Sequence, residues 1–546
     1  MLRIRAPYLL SRQPAGSSHI SADVCVYGQA AGGNTAAIAA KRSGATVAAI
    51  GGWRENRLGG MVSGGLSATD LRNRAAIGGL ALEFFERVWT HYGRTPGDDF
   101  TFEPKVAQSI LETWYEENNL VPTWTKGIVA ADMDGPRLRK ILTRDGITIE
   151  AKQWIDASYE RDLVRAAKIT MRTGREGRDE FGEDLAGIRW TDPKHNYGFS
   201  EIDPYRQPGI PASGLLPGIN LNTLPVGSAS VGTQAYNFRL TMTRSLTNGL
   251  PLPTSAPPRF NPARYELFLR WLAVQRDFGF SVRFSDIVII NGIGDTEKAD
   301  INAKGPFSID DFGGSWSYIT DDYDRREWSW KDHEDFIRGF LWVCWSYADS
   351  RVPATLRDSA RVWRLCADEF TKPYPGDEVG WPTQIYSREY GRMRGVRILT
   401  QADAMRGDGD DLPYADQVVA LGSYWADSHG CQRIVIPATG RAGDKVVNEG
   451  GFFENAGGSN RMVPIPFDAL LPRPHEAVNI TTTWGISATH VFDGLSRMEP
   501  TSMAYGHATG IAAAMAAEGI DTALHSINVA DLRAQLISEG ASIGAV

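Results

Sequence analysis

An α/β fold is predicted, opening with a parallel βαβ unit and carrying an inserted α+β lobe. Three features point to it. The apolar run Val24–Tyr27 meets a glycine-rich turn and an alanine-rich helix that continues through Arg42. A second buried strand, Thr46–Ile50, completes a unit of about 30 residues, the usual βαβ length. Much later, Pro500–Glu518 is so rich in small residues that it reads as a helix packed closely on another element.

The remaining elements follow in chain order. A second glycine-rich loop, Leu58–Leu66, precedes helical stretches at Gly79–Tyr92 and Glu103–Asn118. Short strands then run to about Ala157, turning at Asp134-Gly135 and Asp145-Gly146. From Arg172 to Asn302 the chain is rich in Pro, Gly and Asn and weakly periodic, as an inserted lobe with long loops would be. Trp328–Trp345 and Pro353–Phe370 are predicted helices. Tyr414–Val447 returns to strands, Pro466–Asn479 leads to a last strand, and a polar helix near Val529–Glu539 ends the pattern.

The first turn is Gly28-Gln-Ala30-Ala31-Gly32-Gly33. In a Rossmann-type turn the first glycine makes the tight bend and the second lets backbone approach a pyrophosphate. The third lets helix and strand pack closely. Gly28 and Gly33 hold the first and third places, and Ala30 replaces the second. The helix N-terminus offers N–H groups and a positive dipole end to phosphates. The acidic residue that normally ends the second strand and holds a ribose is absent. Gly51-Gly52-Trp53 stands there, with Glu55 about four residues on.

At 546 residues the chain exceeds one ordinary core and implies roughly two to four lobes. A net charge of −8 without a Lys/Arg-rich block argues against a nucleic-acid partner. No apolar run spans a membrane, and Met1–Ser21 lacks a signal-peptide core. Cys25, Cys344, Cys366 and Cys431 form neither a disulfide framework nor a metal cluster, so a cytoplasmic setting and no metal are expected. Asp321, Asp322 and Asp324 do not follow calcium-loop spacing. The expected partner is a small-molecule substrate, and nothing in the sequence fixes an oligomeric state.

Several separated segments carry a resemblance running from about residue 22 to 518. They include Leu58–Leu66, Ile155-Asp156-Ala157-Ser158-Tyr159-Glu160, Gln234-Ala-Tyr236-Asn237-Phe-Arg239 and Trp381-Pro-Thr-Gln384-Ile-Tyr386-Ser-Arg388-Glu389. Tyr424-Trp-Ala-Asp427-Ser428-His429 and Ser487-Ala-Thr489-His490, running on to Arg497-Met498-Glu499-Pro500, complete the set. Together they resemble the FAD-dependent oxidoreductase family, some of whose members carry a xanthan lyase-like label. The resemblance implies FAD as cofactor and a Rossmann-type FAD-binding domain of the glutathione-reductase type with an inserted α+β substrate domain. It implies that Gly28, Ala30, Ala31, Gly32 and Gly33 meet the pyrophosphate. Gly59, Gly60, Met61, Ser63, Gly64 and Gly65 would lie beside the ribityl chain, and Asp156, Ala157 and Ser158 would close over the cofactor. Met503, Gly506 and Gly510 would face the flavin from the late helix. The strand Asn479–Trp484 departs from the family pattern.

The implied layout is an extension (1–21), a first FAD-binding part (22–170) and a mainly inserted substrate or cap lobe (171–400). A completing FAD-binding part with substrate-facing strands (401–520) and a C-terminal helix (521–546) follow.

Oxidising an alcohol or amine on a flavin needs a base near the carbon that loses hydride, and imidazole titrates near neutrality. His429 and His490 are the candidate bases, each read equally well as a hydrogen-bonded structural histidine. Tyr386 and Arg388 are candidates for orienting substrate, the alternative for Arg388 being an Arg–Glu pair holding the insertion. Tyr236, Asn237, Arg239 and Gln384 are candidate substrate contacts or loop ties. The 16 tryptophans suit stacking on a sugar ring, though core packing accounts for most of them. The first reading is hydride transfer from a sugar, glycoside or polyol to FAD. The alternatives are a redox-neutral flavin-dependent lyase, and a degenerate flavin site in a non-redox enzyme or binding protein.

Overall fold

The computed structural model describes residues 18–97, 99–190, 198–199, 202–221, 224–406, 412–436, 444–454 and 462–544. Most of the predicted N-terminal extension, residues 1–17, lies outside them.

The central sheet is built from β1 (His19–Tyr27), β2 (Val47–Gly51), β3 (Pro122–Trp124), β4 (Ile128–Asp134), β5 (Arg137–Thr143) and β6 (Thr148–Asp156), in the order β3-β2-β1-β6-β5-β4. β7 (Ile480–Thr482) joins β6 in parallel, beyond the stretch that pairs with β5. Strands β3, β2, β1, β6 and β7 are mutually parallel, and β4–β5 is an antiparallel hairpin. Tyr27 lies opposite both Ile50 and Asp156, so the carboxyl ends of β1, β2 and β6 share one rim. Ligands of open α/β sheets bind beyond such a rim.

Helix α1 (Ala31–Arg42) crosses between β1 and β2. The small-residue helix α4 (Glu499–Ala517) packs backbone to backbone on it. A Cβ on Gly506 would stand 2.0 Å from the carbonyl oxygen of Gly32, and one on Gly510 would stand 2.4 Å from that of Ala36. Thr35 Oγ1 donates to the Met503 carbonyl across this contact at 2.8 Å. Only glycine fits so close a helix crossing, which is why the segment carries so few large side chains.

The second core belongs to the insertion. Leu240–Thr243 pairs antiparallel with Lys298–Ala303 and with Arg364–Leu365, and Val288–Gly292 flanks the sheet. Helix α2 (Tyr323–Trp345) is N-capped by Asp322, which accepts from Arg325 N at 2.9 Å, and buries Trp330, Phe336 and Phe340. Trp53 reaches into this core, edge-on to Trp330 at 6.0 Å. The helix predicted over Pro353–Phe370 covers only Ala354–Arg361. Beyond it the chain enters the sheet, where Leu365 pairs with Met242 and its backbone groups serve the ladder. Residues 432–436 and 445–449 join the short strands at 198–199 and 219–221, so the late segment also pairs with the insertion.

Candidate functional site

A cavity of about 690 Å³ opens between the two cores. His429, at the end of the strand Ala426–Ser428, lies on its wall with 18% of its side chain exposed. Its Nδ1–H donates to Asp310 Oδ2 at 2.8 Å, and its Nε2 is 4.0 Å from Asp427 Oδ2. Asp310 is buried and accepts on its other oxygen from Arg388 Nη1 at 2.7 Å and Asn237 Nδ2 at 2.8 Å. Burial alone would raise its pKa, but the Arg388 guanidinium and His429 outweigh that and hold it at about 2. An ionised carboxylate on Nδ1 fixes the imidazole tautomer and turns Nε2 away from it.

Tyr386 is the second wall residue predicted from the sequence. Its hydroxyl accepts from Arg497 Nη1 at 3.1 Å, and the guanidiniums of Arg388 and Arg239 stand over its ring at 4.8 and 5.6 Å. Arg239 also lines the cavity, tied to Asp300 at 2.8 Å through Nε. Its buried Nη1 has no partner among the described residues.

Asp70, Asp310, Asp427 and Arg497 also line the wall and were not among the predicted site residues. Asp310 stands in Ser308-Ile-Asp-Asp, and Asp70 ends Ser67-Ala-Thr-Asp; neither stretch has a recognisable spacing. Burial raises the Asp70 carboxyl above its ordinary value, partly offset by Arg239. Asp427 and Arg497, paired at 2.8 Å, stood in the resembling segments without an assigned role.

Other predicted residues serve elsewhere. His490 is buried at the start of helix α3 (His490–Ser496), where Glu176 Oε2 sits 3.0 Å from both its Nδ1 and its backbone N. It does not line the cavity; its role is to pin the helix to the insertion. Arg388 is fully buried and reaches Asp310, the Ala235 carbonyl and Asn302 rather than a ligand. It holds Asp310, the partner of His429, in place. Tyr236 donates its hydroxyl to the Glu389 carbonyl inside the core, and Gln384 packs on Gly64, so neither faces the cavity. Asn237 acts through Asp310.

The FAD-contacting residues divide in the same way. Gly28 adopts φ +98°, and a Cβ there would lie 2.3 Å from Ser158 N, so this turn requires glycine. A Cβ on Gly33 would stand 2.2 Å from the Gly28 carbonyl oxygen, the close helix–strand contact expected of it. Ala30 offers α1 no side-chain cap, leaving the N–H groups of Ala31, Gly32 and Gly33 without intrahelical acceptors. Gly59 and Gly60, at φ +100° and +51°, carry the second loop past Ala30, and Met61 opens a short helix there. Ser63 donates to the Leu58 carbonyl, and a Cβ on Gly65 would lie 3.0 Å from the Arg239 carbonyl oxygen, so this end joins the loop to the insertion. Asp156 is spent on its own loop, accepting from Ser158 N at 3.0 Å and Val164 N at 2.9 Å, while Ala157 underlies Gly28. Met503, Gly506 and Gly510, predicted to face the flavin, lie at the α1–α4 contact.

The missing strand-end acid is replaced in space. Glu55 folds back so that its carboxylate accepts from Gln29 N at 3.0 Å and Gly52 N at 2.7 Å. Burial pushes this carboxyl up to about 8. Beside the turn, Thr483 Oγ1, Trp484 Nε1 and Glu499 Oε2 are buried polar atoms without partners among the described residues. Uncapped helical N–H groups, a returned carboxylate and orphaned polar atoms fit the phosphate and ribose end of FAD.

Glu103, Asp368 and Glu369 bring three carboxylates together. Lys298 Nζ sits among them at 2.6, 2.8 and 2.6 Å and occupies the cation position. Among the described residues no helix is long and apolar enough to cross a membrane.

Parts of the chain are similar to solved structures. A flavin-containing monooxygenase from Stenotrophomonas maltophilia is 18% identical over 30% of this chain and 44% of its own, with a TM-score of 0.19. Thioredoxin reductase from Streptococcus pyogenes is 21% identical over 30% and 40%, with a TM-score of 0.18. L-amino acid deaminase from Proteus vulgaris is 12% identical over 30% and 54%, with a TM-score of 0.22. The chain therefore spans about half the length of these structures or less. Comparison with curated proteins returned no match. The profile of the FAD dependent oxidoreductase family matches residues 23–536, nearly the whole chain. The chain is a member of the FAD dependent oxidoreductase family.

Proposed function

We propose that the protein oxidises a small hydroxyl-bearing organic molecule, a sugar, glycoside or polyol, in the cavity beside His429. The observation that carries this is the His429–Asp310 pair on the cavity wall, with Asp310 clamped by Arg388 and Asn237. FAD held on the Gly28–Gly33 turn supplies the two-electron acceptor. His429 Nε2 accepts the substrate hydroxyl proton, and Asp310 stabilises the resulting imidazolium through Nδ1. Tyr386, held by Arg497, offers its hydroxyl to a second substrate oxygen. Trp425 and Phe453, whose rings meet 3.9 Å apart at the cavity, give an apolar face on which a sugar ring stacks.

The test is anaerobic reduction of bound flavin by a panel of sugars, glycosides and polyols, followed as bleaching of its visible bands. At least one should bleach the wild type, and His429→Asn should slow bleaching ~10²–10⁴-fold with FAD affinity unchanged. Failure of the whole panel, or unchanged rates in the variant, overturns the proposal.

A further inference from the structure

Between the phosphate-binding turn and the cavity lies a closed aromatic cluster. Ala30, Met61, Leu66, Tyr159, Tyr386, Tyr390 and Trp484 pack together, none more than 8% exposed. Ala30 belongs to the turn, and Tyr386 belongs to the cavity wall. A ligand reaching from one to the other must therefore cross the space these rings fill. The Trp484 ring lies 4.9 Å from that of Tyr159 and 5.1 Å from that of Tyr390, and the two tyrosine rings stack at 5.9 Å.

The members are held unequally. The Tyr159 hydroxyl accepts from Met61 N at 2.9 Å and donates to Glu499 Oε1 at 2.8 Å. Trp484 has no such tie: its Nε1 is buried without a partner among the described residues, and packing alone holds the ring. Thr483 Oγ1 and Glu499 Oε2, at the same place, are likewise unsatisfied. A buried polar atom left unpaired is costly, so the closed packing satisfies its own polar groups poorly. Between Tyr159 and Trp484, Trp484 is the ring held by packing alone.

We propose that Trp484, braced by Tyr159 and Tyr390, is an aromatic plug that closes the passage from the phosphate-binding turn to the cavity and that FAD must displace to bind. This rests on the FAD-dependent reading. Its consequence is that native Trp484 weakens cofactor affinity, and a smaller residue there strengthens it.

The experiment titrates FAD into the full-length wild type, Trp484→Val and Trp484→Phe, read by flavin fluorescence anisotropy, with melting curves to confirm folding. Trp484→Val should bind at least ~10-fold more tightly than the wild type, and Trp484→Phe should fall between them. Trp484→Phe keeps most of the packing and serves if the valine variant fails to fold. Equal affinities in all three overturn the plug and leave the flavin reading standing, as does weaker binding by the variants. Absence of binding in every folded form overturns the plug and the flavin reading together.

Discussion

His429 and Asp310, 119 residues apart in the chain, meet at 2.8 Å on the cavity wall, and Arg388 holds Asp310 from behind at 2.7 Å. The imidazole is thus aimed by a carboxylate that is itself clamped. Replacing Asp310 by Asn removes the charge that stabilises the imidazolium and frees the ring to flip. Flavin reduction by substrate should fall ~10²–10⁴-fold, with substrate KM changed far less than kcat. A fall confined to KM would show that Asp310 only shapes the pocket.

Arg388 acts through Asp310, so its loss should be read in the pH profile. Arg388→Met leaves Asp310 buried without its main counter-charge, and the carboxyl should rise from about 2 toward the ordinary range or above. The acid limb of the activity profile should move to higher pH. An unshifted limb with lowered activity would indicate structural damage alone.

Glu499 gives a pH dependence of the opposite kind. Burial lifts its carboxyl to about 8, although the Tyr159 hydroxyl hydrogen bond pulls it down. The folded pKa exceeds the unfolded one, so the native state binds the proton more tightly. The stability this gives is fully present below about 4.3 and is lost as pH rises to 8, by up to about 1.4 kcal/mol per pH unit. Glu499→Gln should flatten that decline, leaving the variant more stable than the wild type at pH 9, as melting temperatures across pH 5–9 will register.

Lys298 neutralises Glu103, Asp368 and Glu369, and the Glu369 side chain is wholly buried. Lys298→Met leaves the buried Glu369 without its ammonium, with only Lys105 remaining beside Glu103 and Asp368, and should destabilise the fold by ~3–5 kcal/mol in denaturant unfolding. Adding Glu369→Gln should recover part of the loss. Full additivity of the two changes would show that the pair is not coupled.

The crossing of α1 and α4 tolerates no side chain. Gly506→Ala puts a methyl 2.0 Å from the Gly32 carbonyl oxygen and 2.2 Å from Thr35 Oγ1. A loss of ~1–3 kcal/mol or more is expected, whereas Gly292→Ala, with nothing within 4 Å of the new methyl, should stay within about 0.5 kcal/mol.

What the sequence determined by itself was local. The strand–glycine–helix order around Gly28, the small-residue run of α4 and the apolar strands each report the conformation of a few neighbours, so β1, α1, β2 and α4 fall where their patterns place them. His429 and Tyr386 stand in segments with a recognisable order, and both line the cavity.

The remaining features depend on residues far apart in the chain. Asp310 carries no local signal and gains its role by meeting His429. His490, in a setting just as suggestive, is drawn to Glu176 and away from the cavity. Gly506 and Gly510 were legible as small residues, but which surface they meet is a property of the α1 crossing. Glu55 comes to lie beside the strand end at Gly51 because the loop turns back onto Gln29 N. Hydrogen bonds and packing act through space, and chain order specifies them only where the contacts are short-range.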